Sequence, residues 1–107
     1  MTKTEKQINR ITQMEEILNR VNSINASLET ALDDFCAMQS DVKKLGGYYG
    51  GAAWRQDVSD DEDGLLPLDL PRGVLSEDGA YSALSNYREQ FTRMLDIVSK
   101  ALQKGII

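Results

Sequence analysis

The chain has 107 residues, of which 41% are hydrophobic and 27% are charged, and its formal net charge is −5. This size predicts a single domain with a modest core. Residues 46–75 hold two basic and six acidic residues, so they account for −4 of the net charge. Because the basic residues form no stripe, the composition argues against direct binding to the phosphates of a nucleic acid.

The cysteine content and the hydropathy pattern indicate a cytoplasmic protein. The only cysteine, Cys36, excludes an internal disulfide and suits a reducing compartment. No apolar run approaches membrane-spanning length, and the first ten residues lack the apolar centre of a signal peptide. We therefore expect no membrane contact.

Apolar residues recur at helical spacing from about residue 4 to residue 45 and predict a first long helix. With Ile11 at heptad position a, apolar side chains occupy positions a, d and g, a stripe wide enough to face more than one neighbouring helix. Asn25 interrupts the stripe, either to fix register and oligomeric state or because water reaches that position. Gly46 and Gly47 are predicted to end the helix. The stripe comprises Ile11, Met14, Ile17, Leu18, Val21, Ile24, Leu28, Ala31, Leu32, Phe35, Met38, Val42 and Leu45.

A second helix is predicted from about residue 76 to residue 104. Ser76 is a favourable N-cap, the acids Glu77 and Asp78 suit a first turn, and Gly105 marks the end. At about 1.5 Å per residue the first helix reaches roughly 60 Å and the second roughly 40 Å. The prediction is an all-α fold, a long antiparallel helical hairpin with a structured cap between the helices, which forms a homodimer built as a helical bundle.

Residues 46–75, here called the cap segment, contain the distinctive residues of the chain. We expect a glycine-rich hinge at residues 46–51, a short helical turn at residues 52–57 and a solvated acidic turn at residues 57–64. Residues 65–75, here called the apolar return, contain two prolines and are expected to pack on the helices. The aromatic residues of the segment either close the end of the bundle or line a groove for a partner. The candidate cap and interaction residues are Tyr48, Tyr49, Trp54, Asp57, Asp69 and Arg72.

Arg72 has two interpretations. It either pairs with Asp69 or Asp57 to hold the loop shut, or clamps an acidic group at the start of the second helix.

The acidic turn resembles a calcium-binding loop only in part. With Ser59 at loop position 1, Asp61, Asp63 and Gly64 fall at positions 3, 5 and 6. Position 12 is then Leu70, where such a loop needs a bidentate glutamate. We therefore expect a solvated turn, no bound metal and no cofactor.

Catalytic chemistry is not expected either. The chain has no histidine and one cysteine, which excludes Ser-His and Cys-His pairs and the usual zinc sites. It also lacks glycine-rich phosphate-binding motifs.

The cap segment and second helix resemble a small bacterial family of unknown function, domain of unknown function 4298. The specific part of the resemblance begins at Tyr48-Tyr49-Gly50 and Trp54, continues through Asp57, and ends in the run from Arg72 to Asp78. Gly51 departs from the serine expected after YYG. The resemblance covers nearly the whole chain and implies an all-α bacterial protein, and it transfers no activity to this chain.

Function is therefore predicted only by class. We expect an interaction or scaffold module without catalytic activity that binds an unidentified protein partner and itself. The alternative is an acidic inhibitor or antitoxin-like protein whose residues 57–64 engage a basic target. A third possibility, a secreted WXG-like helical hairpin, is weakened because Trp54-Arg55-Gln56 lacks the glycine.

Overall fold

The computed structural model describes residues 2–106. Its elements are α1 (Lys3–Tyr48), α2 (Ala52–Glu62), a 3₁₀ turn (Gly73–Leu75) and α3 (Glu77–Lys104). The described residues form helices and turns and contain no strand, so the predicted all-α class is confirmed. The chain divides into two compact units, of which the first ends at Gln39 and the second starts at Ser40.

Helix α1 begins in a reciprocal cap between Thr2 and Glu5. The Glu5 amide donates to the Thr2 hydroxyl over 3.1 Å, and the Thr2 amide donates to the Glu5 carboxylate over 2.9 Å. This pattern of a threonine followed three residues later by a glutamate satisfies two backbone donors that a helix start leaves unpaired. The Glu5 carboxylate is thus occupied within its own helix.

Helix α1 runs three residues past its predicted end. Gly46 and Gly47 lie inside the helix, which continues to Tyr48. The Tyr49 amide still donates to the carbonyl of Leu45 over 2.9 Å. The chain leaves the helical path at Gly50, whose φ of 77° lies in the left-handed region that glycine adopts without strain.

Most of the acidic run is helical, which corrects the prediction of a solvated turn. Helix α2 continues to Glu62, well beyond the single helical turn expected at residues 52–57. It ends where Gly64 adopts a φ of 72° and the Leu65 amide donates to the carbonyl of Asp60 over 3.0 Å. Ser59 therefore lies in a helix rather than at the start of a calcium-binding loop.

The apolar return after α2 is only partly packed. Leu66 and Leu75 are half-buried, whereas Leu65 and Leu68 are 69% and 98% exposed. The expectation that all leucines of this stretch pack on helices is wrong for Leu65 and Leu68. Among the described residues only Ala80, in the first turn of α3, is fully buried.

Helix α3 begins as predicted at Ser76. The Ser76 hydroxyl accepts a hydrogen bond of 3.1 Å from the Gly79 amide, and two acids occupy the first turn. The helix ends at Gly105, whose φ is 65° and whose amide bonds back to the last turn. Both predicted boundaries of this helix rest on local capping, which explains why the sequence carries them.

Candidate functional site

The end of α1 is tied to the middle of α2 by Tyr48 and Asp57. The Tyr48 hydroxyl donates to the Asp57 carboxylate over 2.6 Å, and both side chains are half-buried. This hydrogen bond raises the pKa of Tyr48 above its ordinary value, because deprotonation would remove the donor and place a phenolate beside the carboxylate. This contact spans the turn through Gly50 and Gly51 that connects α1 to α2, here called the glycine turn.

Tyr49 and Trp54 form a second contact one residue further along. Their rings meet edge-to-face with centroids 5.3 Å apart. The Trp54 indole donates to the carbonyl of Val74 over 3.0 Å, and the Tyr49 hydroxyl donates to the carbonyl of Glu77 over 3.2 Å. The Trp54 and Tyr49 donors are thus both paired with backbone carbonyls, one in the 3₁₀ turn and one at the start of α3. These bonds hold the two ends of the cap segment together.

Arg72 holds the apolar return in place, although with a different partner from those predicted. Its guanidinium pairs with Asp61 at 2.5 Å rather than with Asp69 or Asp57. The same group donates to the carbonyls of Pro67, Leu68 and Leu70. Arginine suits this position because its planar fork of five donors reaches a carboxylate and several carbonyls at once.

The structure brings four of the six candidate residues into two contacting pairs and separates the other two. Tyr48 contacts Asp57, and Tyr49 contacts Trp54, across the glycine turn. Arg72 reaches the end of α2, whereas Asp69 lies exposed in the turn between α2 and the 3₁₀ turn. Asp69 therefore does not take the pairing role that the sequence suggested for it.

Three carboxylates of the acidic run are already engaged within the chain. Asp57 accepts from Tyr48, Asp60 accepts from Gln56 over 2.9 Å, and Asp61 pairs with Arg72. All three are half-buried, whereas Glu62 and Asp63 are exposed. The run therefore presents less free negative charge to a basic target than its sequence indicates.

The sequence analysis missed a close contact between Gly79 and the 3₁₀ turn. A Cβ at Gly79 would lie 2.5 Å from the carbonyl oxygen of Gly73 and 2.7 Å from the Ser76 hydroxyl. Ser76 also donates to that carbonyl over 2.8 Å. The signal was present as glycine where a capping box would place glutamate, three residues after the N-cap serine.

Two grooves are bordered in part by the cap segment. One, of about 310 Å³, is bordered by Tyr48, Asp57 and the apolar return. The other, of about 330 Å³, is bordered mainly by the small residues Gly79, Ala80 and Ala83 together with Leu45. Both are open and shallow, so they offer surface for an apolar side chain of a partner rather than an enclosed ligand pocket.

The first unit displays a long exposed apolar face on α1. Between residues 8 and 32 every large aliphatic side chain at a stripe position is exposed by a third or more. At the middle of this face Ile17, Val21 and Ile24 border a groove of about 270 Å³ with Arg20 and Asn25. The exposed set is Ile8, Ile11, Met14, Ile17, Leu18, Val21, Ile24, Leu28 and Leu32.

Residues 2–106 hold neither a cluster of metal ligands nor a membrane-spanning helix. No three acidic or cysteine side chains in this range converge as they would to hold a metal ion. No helix in the same range is long and apolar enough to cross a membrane.

Comparison with known protein families identifies the family of this chain. The model of a family described as a domain of unknown function, DUF4298, matches residues 11–97. That range includes most of the exposed face of α1, the whole cap segment and most of α3. No curated protein and no solved structure matches the chain.

Proposed function

Since the chain belongs to the DUF4298 family, whose description names no activity, we propose from its own residues that it is a protein–protein interaction module without catalytic activity. The exposed apolar face of α1 carries this proposal. Nine large aliphatic side chains at helical spacing are exposed between residues 8 and 32. An apolar face of that length on a protein that functions in water is the signature of a surface that a partner covers.

The proposed assembly is a homodimer built as a helical bundle. Helix α3 has 28 residues and α1 has 46, so an antiparallel hairpin of the two leaves part of α1 uncovered. A second copy covers the remainder. Three apolar positions per heptad give α1 a stripe wide enough for two neighbours, its own α3 and a helix of the partner.

Sedimentation equilibrium of two matched variants tests this proposal. Val21→Glu places a charge in the middle of the exposed face, whereas Ser23→Glu places the same charge two residues away, outside the stripe. We expect a dimer mass for the wild type and Ser23→Glu and a monomer mass for Val21→Glu, with unchanged Trp54 fluorescence in all three. A wild-type monomer mass at every concentration would contradict the proposal.

The cap segment has a second proposed role in binding a protein partner. Its grooves support this role, while the internal hydrogen bonds of Tyr49 and Trp54 favour a purely structural one. Substitution of Trp54 by alanine separates the two. Loss of a captured partner at unchanged stability supports binding, whereas unchanged capture at unchanged stability counts against it, and loss of stability alone supports closure of the bundle.

A further inference from the structure

Opposite charges predominate at the two ends of the first unit, with Glu15, Glu16 and Arg20 between them. Residues 3–10 carry the basic residues Lys3, Lys6 and Arg10 and one acid, Glu5, whose carboxylate is occupied by the helix cap. Residues 29–34 carry three acids, Glu29, Asp33 and Asp34, and no basic residue. The ends of the exposed apolar face are therefore flanked by opposite charges.

The apolar face and these charges share one centre. The basic residues 3–10 and the acidic residues 29–34 lie at equal distances from a point near residue 19. The nine exposed side chains from Ile8 to Leu32 have their midpoint at residue 20, and Met38, which is 47% exposed, lies beyond them. A two-fold axis near this point brings the basic residues 3–10 of one copy to the same level along the pair as the acidic residues 29–34 of the other. It also sets Ile11 level with Leu28 and Leu18 level with Val21, so apolar residues meet at these two layers of the stripe.

We propose that the partner of this face is a second copy of the chain, paired antiparallel through α1 about an axis near residue 20. This inference rests on the proposed homodimer and adds its orientation and register. The paired region extends from Lys3 to about residue 36, which lies within the first unit and leaves the cap segment outside it. Asn25 then lies opposite Met14 of the second copy rather than another Asn25, so one polar side chain of each copy interrupts the apolar contact.

The charge pattern favours this arrangement over a parallel pair and over coverage of the whole face by α3 alone. A parallel pair in register would bring the acidic residues 29–34 of both copies to the same level, and like charges close together are unfavourable. Residues 76–107, which contain α3, hold four basic and four acidic residues in interspersed order. They therefore offer no block of one sign to match either end of α1.

Distance measurement between spin labels tests the orientation. The chain has one cysteine, Cys36, which is exposed, so a nitroxide there gives one label per chain and any distance is intermolecular. Antiparallel pairing about residue 20 separates the two labels by about 50 Å at about 1.5 Å per residue. A second sample carries the label near the axis, in the variant Asn19→Cys with Cys36→Ser. There the expected distance is below about 30 Å, since packed helix axes lie about 10 Å apart.

Each pattern of the two distances has one meaning. A long distance at residue 36 with a short distance at residue 19 supports the antiparallel pair. Short distances at both sites indicate a parallel dimer and overturn the orientation while the homodimer stands. A long distance at residue 19 overturns the register. The absence of dipolar coupling at both sites indicates a monomer and overturns the homodimer as well.

Discussion

The Tyr48 hydroxyl lies 2.6 Å from the Asp57 carboxylate and joins the last residue of α1 to the middle of α2. The backbone between the two helices passes through Gly50, which takes a positive φ and, lacking a Cβ, restrains the turn little on its own. A side-chain contact across that turn fixes the angle between the helices more directly than the turn does. Because this hydrogen bond requires the proton of the Tyr48 hydroxyl, the stability of the cap segment should fall at alkaline pH.

The first prediction concerns that response. Asp57 raises the pKa of Tyr48 above 10.0, so the neutral phenol stabilises the folded state. This contribution is complete below about pH 10, the ordinary pKa of tyrosine, and is lost as the pH rises through the raised pKa. We expect the melting temperature of the wild type to fall more steeply above about pH 10 than that of Tyr48→Phe. Tyr81→Phe, which alters a tyrosine that is 62% exposed, should behave as the wild type; parallel curves for all three proteins would contradict the prediction.

The second prediction compares two glycines that both lie within α-helices. Other atoms lie close to the Cβ position of one of them and not of the other. Gly79→Ala gains helix propensity of about 1 kcal/mol, but its Cβ would meet the Gly73 carbonyl at 2.5 Å. Overpacking of this kind costs about 1–3 kcal/mol, so we expect a net loss of stability. Gly46→Ala has no atom within 4 Å of the new Cβ and should gain about 0.5–1 kcal/mol. Urea unfolding of both variants measures the difference, and a gain of stability in both would show that the 3₁₀ turn shifts freely.

The third prediction tests Arg72. Replacement by glutamine removes the ion pair with Asp61 and the donors to three carbonyls of the apolar return. We expect a loss of about 1–3 kcal/mol, as for hydrogen bonds to charged groups, together with faster proteolysis near residue 68. Arg55→Gln removes the same charge from an exposed position of α2 and should change stability by less than about 0.5 kcal/mol. Equal proteolysis of the two variants would show that Arg72 does not hold the return.

The sequence predicts the parts of this fold that depend on neighbouring residues. The start of α3 at Ser76 and its end at Gly105 follow from capping chemistry within a few residues, and both predictions are confirmed. The end of α1 could not be read in this way. A Gly-Gly pair resembles a helix C-terminus, but a helix ends at the glycine that adopts a positive φ. In this chain that glycine is Gly50 rather than Gly46 or Gly47.

The partners within the cap segment were harder to predict. Arg72 could pair with any of several nearby acids, and the choice of Asp61 follows from α2 extending far enough to bring that carboxylate within reach. The extension of α2 to Glu62 could not be predicted, because a run of acidic residues indicates exposure to solvent both in a helix and in a loop. The contact at Gly79 likewise depends on where the 3₁₀ turn lies, which no local pattern specifies.

The last prediction concerns salt. If opposite charges flank the contact between two α1 helices, their attraction should weaken as the Debye length falls from about 30 Å at 0.01 M salt to about 3 Å at 1 M. We therefore expect the dimer dissociation constant, measured by sedimentation, to rise with sodium chloride in the wild type. The triple variant Lys3→Glu, Lys6→Glu and Arg10→Glu sets acids against acids at both ends, so its dimer should be weaker at low salt and should tighten as salt is added. Reversal of three basic residues on α3, Arg88, Arg93 and Lys104, outside the paired region, is the matched control and should leave the salt slope of the wild type unchanged. A wild-type dimer that tightens with salt would instead indicate that like charges lie side by side, as in a parallel pair.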